Sequence, residues 1–319
     1  MGNITEVTVF LLTPLSDNPQ IRYVLFVVFL LIYMITLIIN SLIILLFIID
    51  AQLRTPMFFF LGNLAFLDMS LSSVTAPRML SDFITTNNLI SFPACMMQIF
   101  FLTYFASIEL FLLGVMSYDR FSAICHPLHY VQMMSWNVCF LLSSMVWGLG
   151  FLYSLVHTLC SLRLAFCSSN IIHNFFCDLP HLFQISCTNT FINMVITLTL
   201  GGSVGLVAFL MTFIPYTRIF STIIRIQTKD GKLKAFSTCT SHLTVVFIFY
   251  ASLIFIYFVP NTHSLLTLYN IVSIMYAVIN PLLNPLIYSV RNKELKAALE
   301  RTMQHLFVTM YPVNFDLTH

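Results

Sequence analysis

Residues 116–125, MSYDRFSAIC, close a long apolar stretch and set an acid, Asp119, directly before an arginine, Arg120. Charged side chains at the edge of a membrane span are energetically costly, and those found there are usually functional. The alternative interpretation is an interfacial arginine whose charged head reaches water along its aliphatic stem, beside an acid that is there by chance. The rest of the chain has to decide between the two.

The composition of the chain indicates a membrane protein. Of its 319 residues, 59% are hydrophobic and only 8% are charged, whereas a soluble domain carries about 25% charged residues. A chain this apolar cannot cover a water-facing surface, so we expect an all-α integral membrane protein. The net charge of +2 comes without a basic block, which argues against nucleic acid as a partner. Because we find no internal repeat and no low-complexity linker, we expect residues 1–319 to form one domain.

Seven apolar runs are long enough to cross a bilayer, which takes about 20 residues in a helix. The predicted spans are residues 23–49, 56–82, 95–124, 138–160, 191–224, 236–259 and 268–290. Residues 1–21 have no basic start and are broken by Pro14, so they do not predict a signal peptide. We therefore expect the first span to act as an uncleaved insertion signal.

The basic residues predict the orientation of the spans. If the N-terminus, residues 1–22, is extracellular, most of the 14 Lys and Arg residues lie on the inner side and only Arg22, Arg78 and Arg163 lie outside. The positive-inside rule requires this bias. We therefore expect a multi-pass plasma-membrane protein whose tail, residues 291–319, is cytoplasmic.

One short motif depends on this orientation. Asn3 begins the sequon Asn-Ile-Thr, which directs glycosylation only in a lumenal or extracellular segment. We expect Asn3 to be glycosylated if the N-terminus is outside.

The cytoplasmic tail begins with a helical amphipathic pattern. Charged residues cover one face of this helix, and four apolar residues share the other: Leu295, Ala298, Leu299 and Met303. The spacing predicts a short eighth helix on the inner leaflet. A frayed, charged tail is the alternative.

The eight cysteines divide by their predicted side of the membrane. Cys125, Cys139 and Cys239 lie at cytoplasmic ends, where thiols stay reduced. Cys160, near the outer end of the fourth span, is explained as well by a small buried apolar side chain. The four predicted to be extracellular are Cys95, Cys167, Cys177 and Cys187. Four cysteines allow three pairings, and the spacing does not choose among them.

Four further segments are LRTPMFFFL at 53–61, LAFLD at 64–68, KAFSTCTSHL at 234–243 and PLLNPLIYS at 281–289. Together with MSYDRFSAICHPLHY at 116–130, they resemble the odorant receptors of the rhodopsin-like G-protein-coupled family, in its terrestrial-type branch. The resemblance covers nearly the whole chain. Departures from the family pattern occur at Ile39, at Pro215 and at Phe121-Ser122, the last on the surface expected to meet the G protein.

The resemblance implies a seven-helix bundle that binds a small, mostly apolar, neutral volatile molecule. Such a receptor activates a heterotrimeric G protein of the stimulatory olfactory type and raises cAMP. At the inner end, the resemblance implies that Asp119 holds Arg120 at rest and that Tyr216 and Tyr288 swing inward in the open state. The residues implied in coupling or activation are Asp119, Arg120, Tyr216, Lys234, Ser237, His242, Asn284, Pro285 and Tyr288.

The resemblance also chooses among the cysteine pairings. It implies a disulfide between Cys95 and Cys177, which ties the top of the third span to the second outer loop. It implies a second disulfide, Cys167–Cys187, within that loop. A loop of this length stapled twice could cover a pocket.

Two acids, Asp68 and Glu109, lie in the middle of predicted spans. Two neighbouring buried carboxylates cannot both ionise at low cost, so they either share a proton or hold a cation. Amide oxygens at similar depth would suit a hard cation. The resemblance implies a sodium pocket of Asp68, Glu109, Asn40, Asn280 and Asn284. A neutral hydrogen-bonded pair that only fixes helix packing is the alternative; we expect no other cofactor.

The ligand is expected in the outer half of the bundle. The predicted lining is Leu102, Thr103, Ala106 and Ser107 from the third span, Thr197, Leu200, Gly201 and Val204 from the fifth, Tyr250, Leu253, Ile254 and Tyr257 from the sixth, and Ile274 and Ala277 from the seventh. This lining is apolar with a few hydroxyls and no charge, which suits small neutral molecules. Ordinary helix packing is the alternative explanation for each of these residues.

Other classes of protein fit the sequence less well. An enzyme is not expected, because the chain has no Walker loop and no His-Glu-x-x-His pair. A transporter is disfavoured because repeated halves and broken central helices are absent from the pattern. A rhodopsin-like receptor for a small molecule other than an odorant is the nearest alternative.

Overall fold

The computed structural model describes residues 8–85, 87–167, 170–259 and 266–310, and helices dominate it. The helices are α1 (Pro19–Ile49), α2 (Pro56–Thr85), α3 (Phe92–Cys125), α4 (Tyr130–Met133), α5 (Trp136–Leu162), α6 (Leu179–Ile185), α7 (Phe191–Ile196), α8 (Gly202–Arg225), α9 (Lys229–Phe258), α10 (Leu266–Ile274), α11 (Asn280–Arg291) and α12 (Lys293–Met310). Two π-helical turns, Thr197–Gly201 and Met275–Ile279, connect α7 to α8 and α10 to α11. Three short strands are β1 (Val9–Leu12), β2 (Leu89–Ser91) and β3 (Ile171–Ile172).

Seven helical segments in the described part of the chain are long and apolar enough to cross a membrane. They belong to α1, α2, α3, α5, α7–α8, α9 and α10–α11, so the predicted seven-helix membrane fold is confirmed. The helices extend beyond the apolar windows because polar residues can cap or continue a helix. Asn18 accepts a hydrogen bond from the Gln20 backbone N–H at 2.9 Å and starts α1 four residues early. The helix that contains the sixth span, α9, similarly begins at Lys229 rather than at 236.

The third span, α3, is the central and most deeply buried helix of the bundle. It packs against α2, α5 and α8. The approach of α5 depends on Gly150, because a Cβ at that position would lie only 2.7 Å from the Ile108 side chain. The side chains of α3 are therefore placed by three neighbours at once.

A small sheet covers the outer end of the bundle. β1 pairs antiparallel with β2 and parallel with β3, so the N-terminal segment joins the first and second outer loops. Phe10 on β1 is fully buried, and its ring lies edge-on to Phe166 at 5.0 Å. We call β1, β2, β3 and α6, with the loop residues that pack on them, the cap. Its apolar core is separate from that of the bundle.

Two disulfides fasten the cap, and they are the pairs that the resemblance implies. Cys95 on α3 is bonded to Cys177, and both residues are fully buried in the cap core. Cys167 is bonded to Cys187, and both lie on the surface. The second outer loop is thus held to α3 at one point and closed on itself at another.

The eighth helix, α12, packs against the inner end of the first span. Leu295 and Ala298 are buried, whereas Met303 is 47% exposed. Arg301 donates hydrogen bonds of 2.6 and 3.0 Å to the Asp50 carboxylate at the end of α1. These bonds hold the pKa of Asp50 below its usual range. The amphipathic helix is therefore anchored by an apolar face and by an ion pair.

Candidate functional site

A partly open cavity, with about 370 Å³ of empty space that includes its open side, lies between the cap and the outer half of the bundle. Ten residues line it: Ile99, Leu102, Thr103, Phe176, Cys177, Asp178, Leu179, Ile256, Tyr257 and Tyr276. The walls come from α3, α9 and the second π-helical turn, and the roof is formed by the second outer loop.

The roof is fixed to α3 and α2 by hydrogen bonds as well as by a disulfide. The Cys177 backbone N–H donates to Gln98 Oε1 at 2.8 Å. The Gln98 side chain, itself buried, donates in turn to the Val74 carbonyl at 3.1 Å. The loop residues above the cavity are therefore held in a defined position, as ligand recognition requires.

A buried carboxylate, Asp178, lines the cavity next to Cys177. Its Oδ1 lies 2.5 Å from His181 Nδ1 and also caps the first turn of α6. Burial lowers the pKa of His181, but the neighbouring Asp178 charge outweighs that effect, and the pKa is raised overall. When His181 is protonated, the pair carries no net charge.

The expectation of a lining without charge is therefore wrong at Asp178. The charge is present because the second outer loop folds into the roof, where the Asp178 carboxylate serves as a helix cap. Because sequence reasoning placed the lining only on spans, it missed this residue and its neighbours Phe176, Cys177 and Leu179.

The structure brings only part of the predicted lining to the cavity. Leu102, Thr103 and Tyr257 line it. Ala106 and Ala277 are buried in the bundle without lining the cavity. The remaining half-buried residues also do not line it: Thr197, Leu200, Gly201, Val204, Tyr250, Leu253 and Ile274.

Two predicted lining residues point elsewhere. The Ser107 hydroxyl donates to the Tyr104 carbonyl at 2.8 Å and faces Gly150 of α5, because Ser107 lies where α3 turns from the cavity toward α5. Ile254 is 55% exposed and lies on the outward face of α9. Neither residue lines the cavity, and their contact with the ligand stays a prediction.

The two mid-membrane acids, Asp68 and Glu109, both accept a hydrogen bond from the same side-chain amide. Asn284 Nδ2 donates to Asp68 Oδ1 at 2.9 Å and to Glu109 Oε1 at 3.0 Å. Asp68 Oδ2 and the Oδ1 atoms of Asn40 and Asn280 are buried without a hydrogen-bond partner among the described residues. Asn40 Nδ2 is engaged by the Thr36 and Pro281 carbonyls. Buried oxygen atoms of this kind are chemically suited to a hard cation.

At the inner end of α3, Asp119 joins two partners. Its Oδ2 lies 3.2 Å from the Arg120 guanidinium, and its Oδ1 accepts a hydrogen bond from the Tyr130 hydroxyl at 2.8 Å. Burial of Tyr130, with the nearby Asp119 charge, raises the pKa of this phenol. Tyr130 belongs to α4 in the second inner loop, and its role was not foreseen from the sequence. The loop thereby helps to fix the Asp119–Arg120 pair.

The fifth and sixth spans are linked near the same level. The Tyr216 hydroxyl lies 2.9 Å from His242 Nδ1, and both side chains are buried. Tyr216 is thus already buried inside the bundle and bonded to α9, whereas the resemblance implies that it swings inward only in the open state. Tyr288 is half-buried on α11, where Pro285 lies inside the helix.

Some of the predicted residues fall outside the described residues. Asn3 lies before residue 8, where the description begins. For Lys234 and Ser237 only the helical backbone of α9 is described.

Comparisons with known proteins agree on one family. A family model described as olfactory receptor matches residues 29–305. Olfactory receptor 5B12 of Homo sapiens is 44% identical over 95% of this chain and 96% of its own length. Olfactory receptor-like protein COR5 of Gallus gallus is 46% identical over 95% of this chain and 97% of its own length. Olfactory receptor 5B21 of Mus musculus is 41% identical over 100% of this chain and 98% of its own.

A crystal structure of squid rhodopsin has the same fold. It superposes with a TM-score of 0.66 and covers 92% of this chain and 88% of the rhodopsin chain, at 20% sequence identity. At that identity the likeness concerns the arrangement of the helices only.

Proposed function

Because the chain belongs to the olfactory receptor family of G-protein-coupled receptors, we propose that it binds a small, mostly apolar, neutral volatile molecule in the cavity beneath the cap. We further propose that it then activates a heterotrimeric G protein of the stimulatory olfactory type and raises cAMP. Receptors of this family signal and are not enzymes. The observation that carries the ligand proposal is the cavity itself, which is lined mainly by aliphatic and aromatic side chains.

The physical case for a small apolar ligand is the chemistry of the lining. Burying apolar surface contributes about 25 cal/mol per Å², and Leu102, Ile256 and Tyr276 supply such surface. The hydroxyls of Thr103 and Tyr257 can each add about 0.5–1.5 kcal/mol through a hydrogen bond. An ionic ligand would have to be desolvated against these walls, which is costly.

The helices that line the cavity also carry the groups at the inner end. Helix α9 contributes Tyr257 to the cavity and His242 to the bond with Tyr216. Helix α3 contributes Leu102 to the cavity and Arg120 to the inner surface. A ligand that fits the cavity better when α9 has shifted would move the population toward that state. In this way, a ligand that binds in the outer half of the bundle can change the inner surface that contacts a G protein.

The protein is a multi-pass membrane protein, and we propose that the cap faces outside the plasma membrane. Both disulfides lie at the cap end, and disulfides persist in oxidising compartments. Three free cysteines, Cys125, Cys139 and Cys239, lie toward the opposite end. The excess of Lys and Arg at that end agrees with a cytoplasmic location.

The proposed function is tested with a panel of neutral volatiles, a cAMP reporter and cells that supply the stimulatory olfactory G protein. We expect at least one apolar ligand of suitable size to raise cAMP in a dose-dependent way. Silence across the panel, with the receptor present at the surface, would contradict the ligand proposal. Signalling through another G protein would contradict the coupling proposal alone.

We expect Thr103→Val to lower the potency of agonists with a hydroxyl or carbonyl by about 0.5–1.5 kcal/mol, the value of one hydrogen bond. The reason is that Thr103 lines the cavity. Ser107→Ala should leave the potency nearly unchanged, because its hydroxyl is bonded to the Tyr104 carbonyl at the α5 contact. Dose–response curves corrected for surface expression measure both. A larger loss from Ser107→Ala than from Thr103→Val would mean that the cavity is misassigned.

We also propose that Asp68 and Glu109, with the oxygens of Asn40, Asn280 and Asn284, hold a sodium ion. The support is that Asn284 bonds to both acids and that Asp68, Asn40 and Asn280 each keep a buried side-chain oxygen without a partner among the described residues. When bound, the cation would balance the charge of the acids. A proton shared between the two carboxyls is the alternative.

Glu109→Gln should remove the sodium dependence of basal cAMP, because it deletes one of the two charges that attract the cation. The measurement is basal cAMP in cell membranes with sodium replaced stepwise by N-methylglucamine. Glu300→Gln, an exposed acid on α12, is the matched control and should respond like the wild type. A wild type that ignores sodium would favour the shared proton.

A further inference from the structure

Helix α5 and the outer part of the fifth span run antiparallel and touch at two levels. At the outer level, Asn193 Nδ2 donates to the Cys160 carbonyl at 2.9 Å. At the inner level, the Tyr153 hydroxyl lies 3.1 Å from the place that a Cβ on Gly201 would take. His157 lies between Tyr153 and Cys160 on α5, and Thr197 lies midway between Asn193 and Gly201. His157 and Thr197 therefore share one level between these two contacts.

Both residues carry buried polar atoms without a partner. His157 is 3% exposed, and its Nε2 has no hydrogen-bond partner among the described residues. The same holds for Thr197 Oγ1, which is also buried. Polar atoms buried in this way are rare in folded proteins, and each calls for an explanation such as a ligand or a water molecule. We call this group of four residues, Tyr153, His157, Thr197 and Gly201, the lateral niche.

The backbone beside the lateral niche is irregular. Thr197–Gly201 forms one of the π-helical turns, and such turns often occur at functional sites because they redirect side chains. Gly201 adds to this, since any side chain there would press against the Tyr153 hydroxyl. The fifth span is thus shaped locally at the point where the unpartnered groups lie.

The lateral niche lies beside the cavity already described. Thr103 lines that cavity, and its neighbours on α3 contact α5: the Phe100 carbonyl accepts a hydrogen bond from Ser154 at 2.6 Å, and Ser107 faces Gly150. Thr103 therefore stands on the edge of α3 between the cavity and α5. Ser154 and His157 follow each other on the buried stripe of α5.

We propose that the lateral niche binds the oxygen function of the ligand, a hydroxyl or a carbonyl, while the apolar part of the ligand occupies the cavity. This inference rests on the proposed function and adds the chemical class of ligand to it. Thr197 can donate or accept a hydrogen bond, and a neutral imidazole can do either through Nε2 according to its tautomer. His157 has no carboxylate partner among the described residues, so the site suits a neutral group.

The test compares probes that differ in the oxygen function alone: six- to ten-carbon alcohols and aldehydes against terminal alkenes of equal length. His157→Phe and Thr197→Val remove the polar atoms, and His157→Gln and Thr197→Ser retain polar ones. Thr199→Val is the matched control, because Thr199 lies on the same π-helical turn but is exposed and bonded to the Val195 carbonyl. Potency is read from cAMP dose–response curves corrected for surface expression.

We expect His157→Phe and Thr197→Val to lower alcohol and aldehyde potency about three- to tenfold, the factor of one hydrogen bond. Alkene responses, the two polar replacements and Thr199→Val should stay within about twofold of the wild type, since none of these tests removes a hydrogen bond to the ligand. Unchanged potency in both apolar variants would overturn the inference and leave the niche to water. An equal loss for all probes would also overturn it, because packing alone would then explain the residues. A wild type that no probe activates would instead overturn the proposed function, and the inference with it.

Discussion

Cys95→Ser should eliminate nearly all mature receptor from the cell surface, and Cys177→Ser should do the same. Their disulfide joins two fully buried residues and closes a sequence separation of 82 residues. Loss of a native disulfide typically costs about 2–5 kcal/mol, a large share of the marginal stability of a folded protein. The measurement is surface labelling of an N-terminal epitope together with total receptor in the lysate.

The same experiment contains its own controls. Cys160→Ser should leave surface receptor near the wild-type level, because Cys160 is a half-buried free thiol. Cys167→Ser should be milder than Cys95→Ser, since the Cys167–Cys187 bond lies on the surface outside the cap core. The double variant of Cys95 and Cys177 should be no worse than either single one. Defects that add would show that the two residues do not act as partners.

The seven spans could be predicted because each is a long apolar run whose signal is local. Their ends could not, because a cap such as Asn18 or a mostly polar segment such as 229–235 extends a helix past the apolar window. The amphipathic pattern of α12 was equally local, so its buried face was found from Leu295 and Ala298. Local sequence patterns are thus sufficient to find the membrane spans and the eighth helix.

The cap could not be predicted, because its strands have only two to four residues and pair across distant parts of the chain. β1 contacts β3, which lies beyond four of the spans in sequence. The disulfides were found only through the family resemblance, since four cysteines leave three pairings open. Without the cap, the roof residues Asp178 and Leu179 have no recognisable signal for ligand contact.

Within the spans, the sequence gives a face of a helix but not its edges. Leu102 and Thr103 were placed on the cavity side of α3, and they line the cavity. Ser107, one turn further along α3 from Thr103, lies toward α5. A few tens of degrees of helix rotation decide between these environments, and only the packing of neighbours fixes that rotation. The same uncertainty affected Ile254 on α9.

Arg120→Ala should abolish ligand-driven cAMP while leaving surface expression close to the wild-type level. Arg120 lies at the inner end of α3 with 14% of its side chain exposed, and its partner is the more deeply buried Asp119. Asp119 keeps its hydrogen bond from Tyr130 when the guanidinium is removed, so the fold should tolerate the change better than the loss of the acid. What disappears is the cation that the inner surface would present to a G protein once the bundle opens.

The measurement is a cAMP dose–response curve with an agonist found for the wild type, alongside surface labelling of the same cells. Arg218→Ala is the matched control, because Arg218 is an exposed cation in the inner half of α8 and pairs with no acid among the described residues. It should reduce the maximal response by less than about twofold, as expected for an exposed charge. A normal maximal response in Arg120→Ala at equal surface density would show that the Asp119–Arg120 pair stabilises the helix end and has no part in coupling. A receptor lost from the surface would point the same way, since the residue would then be needed for folding.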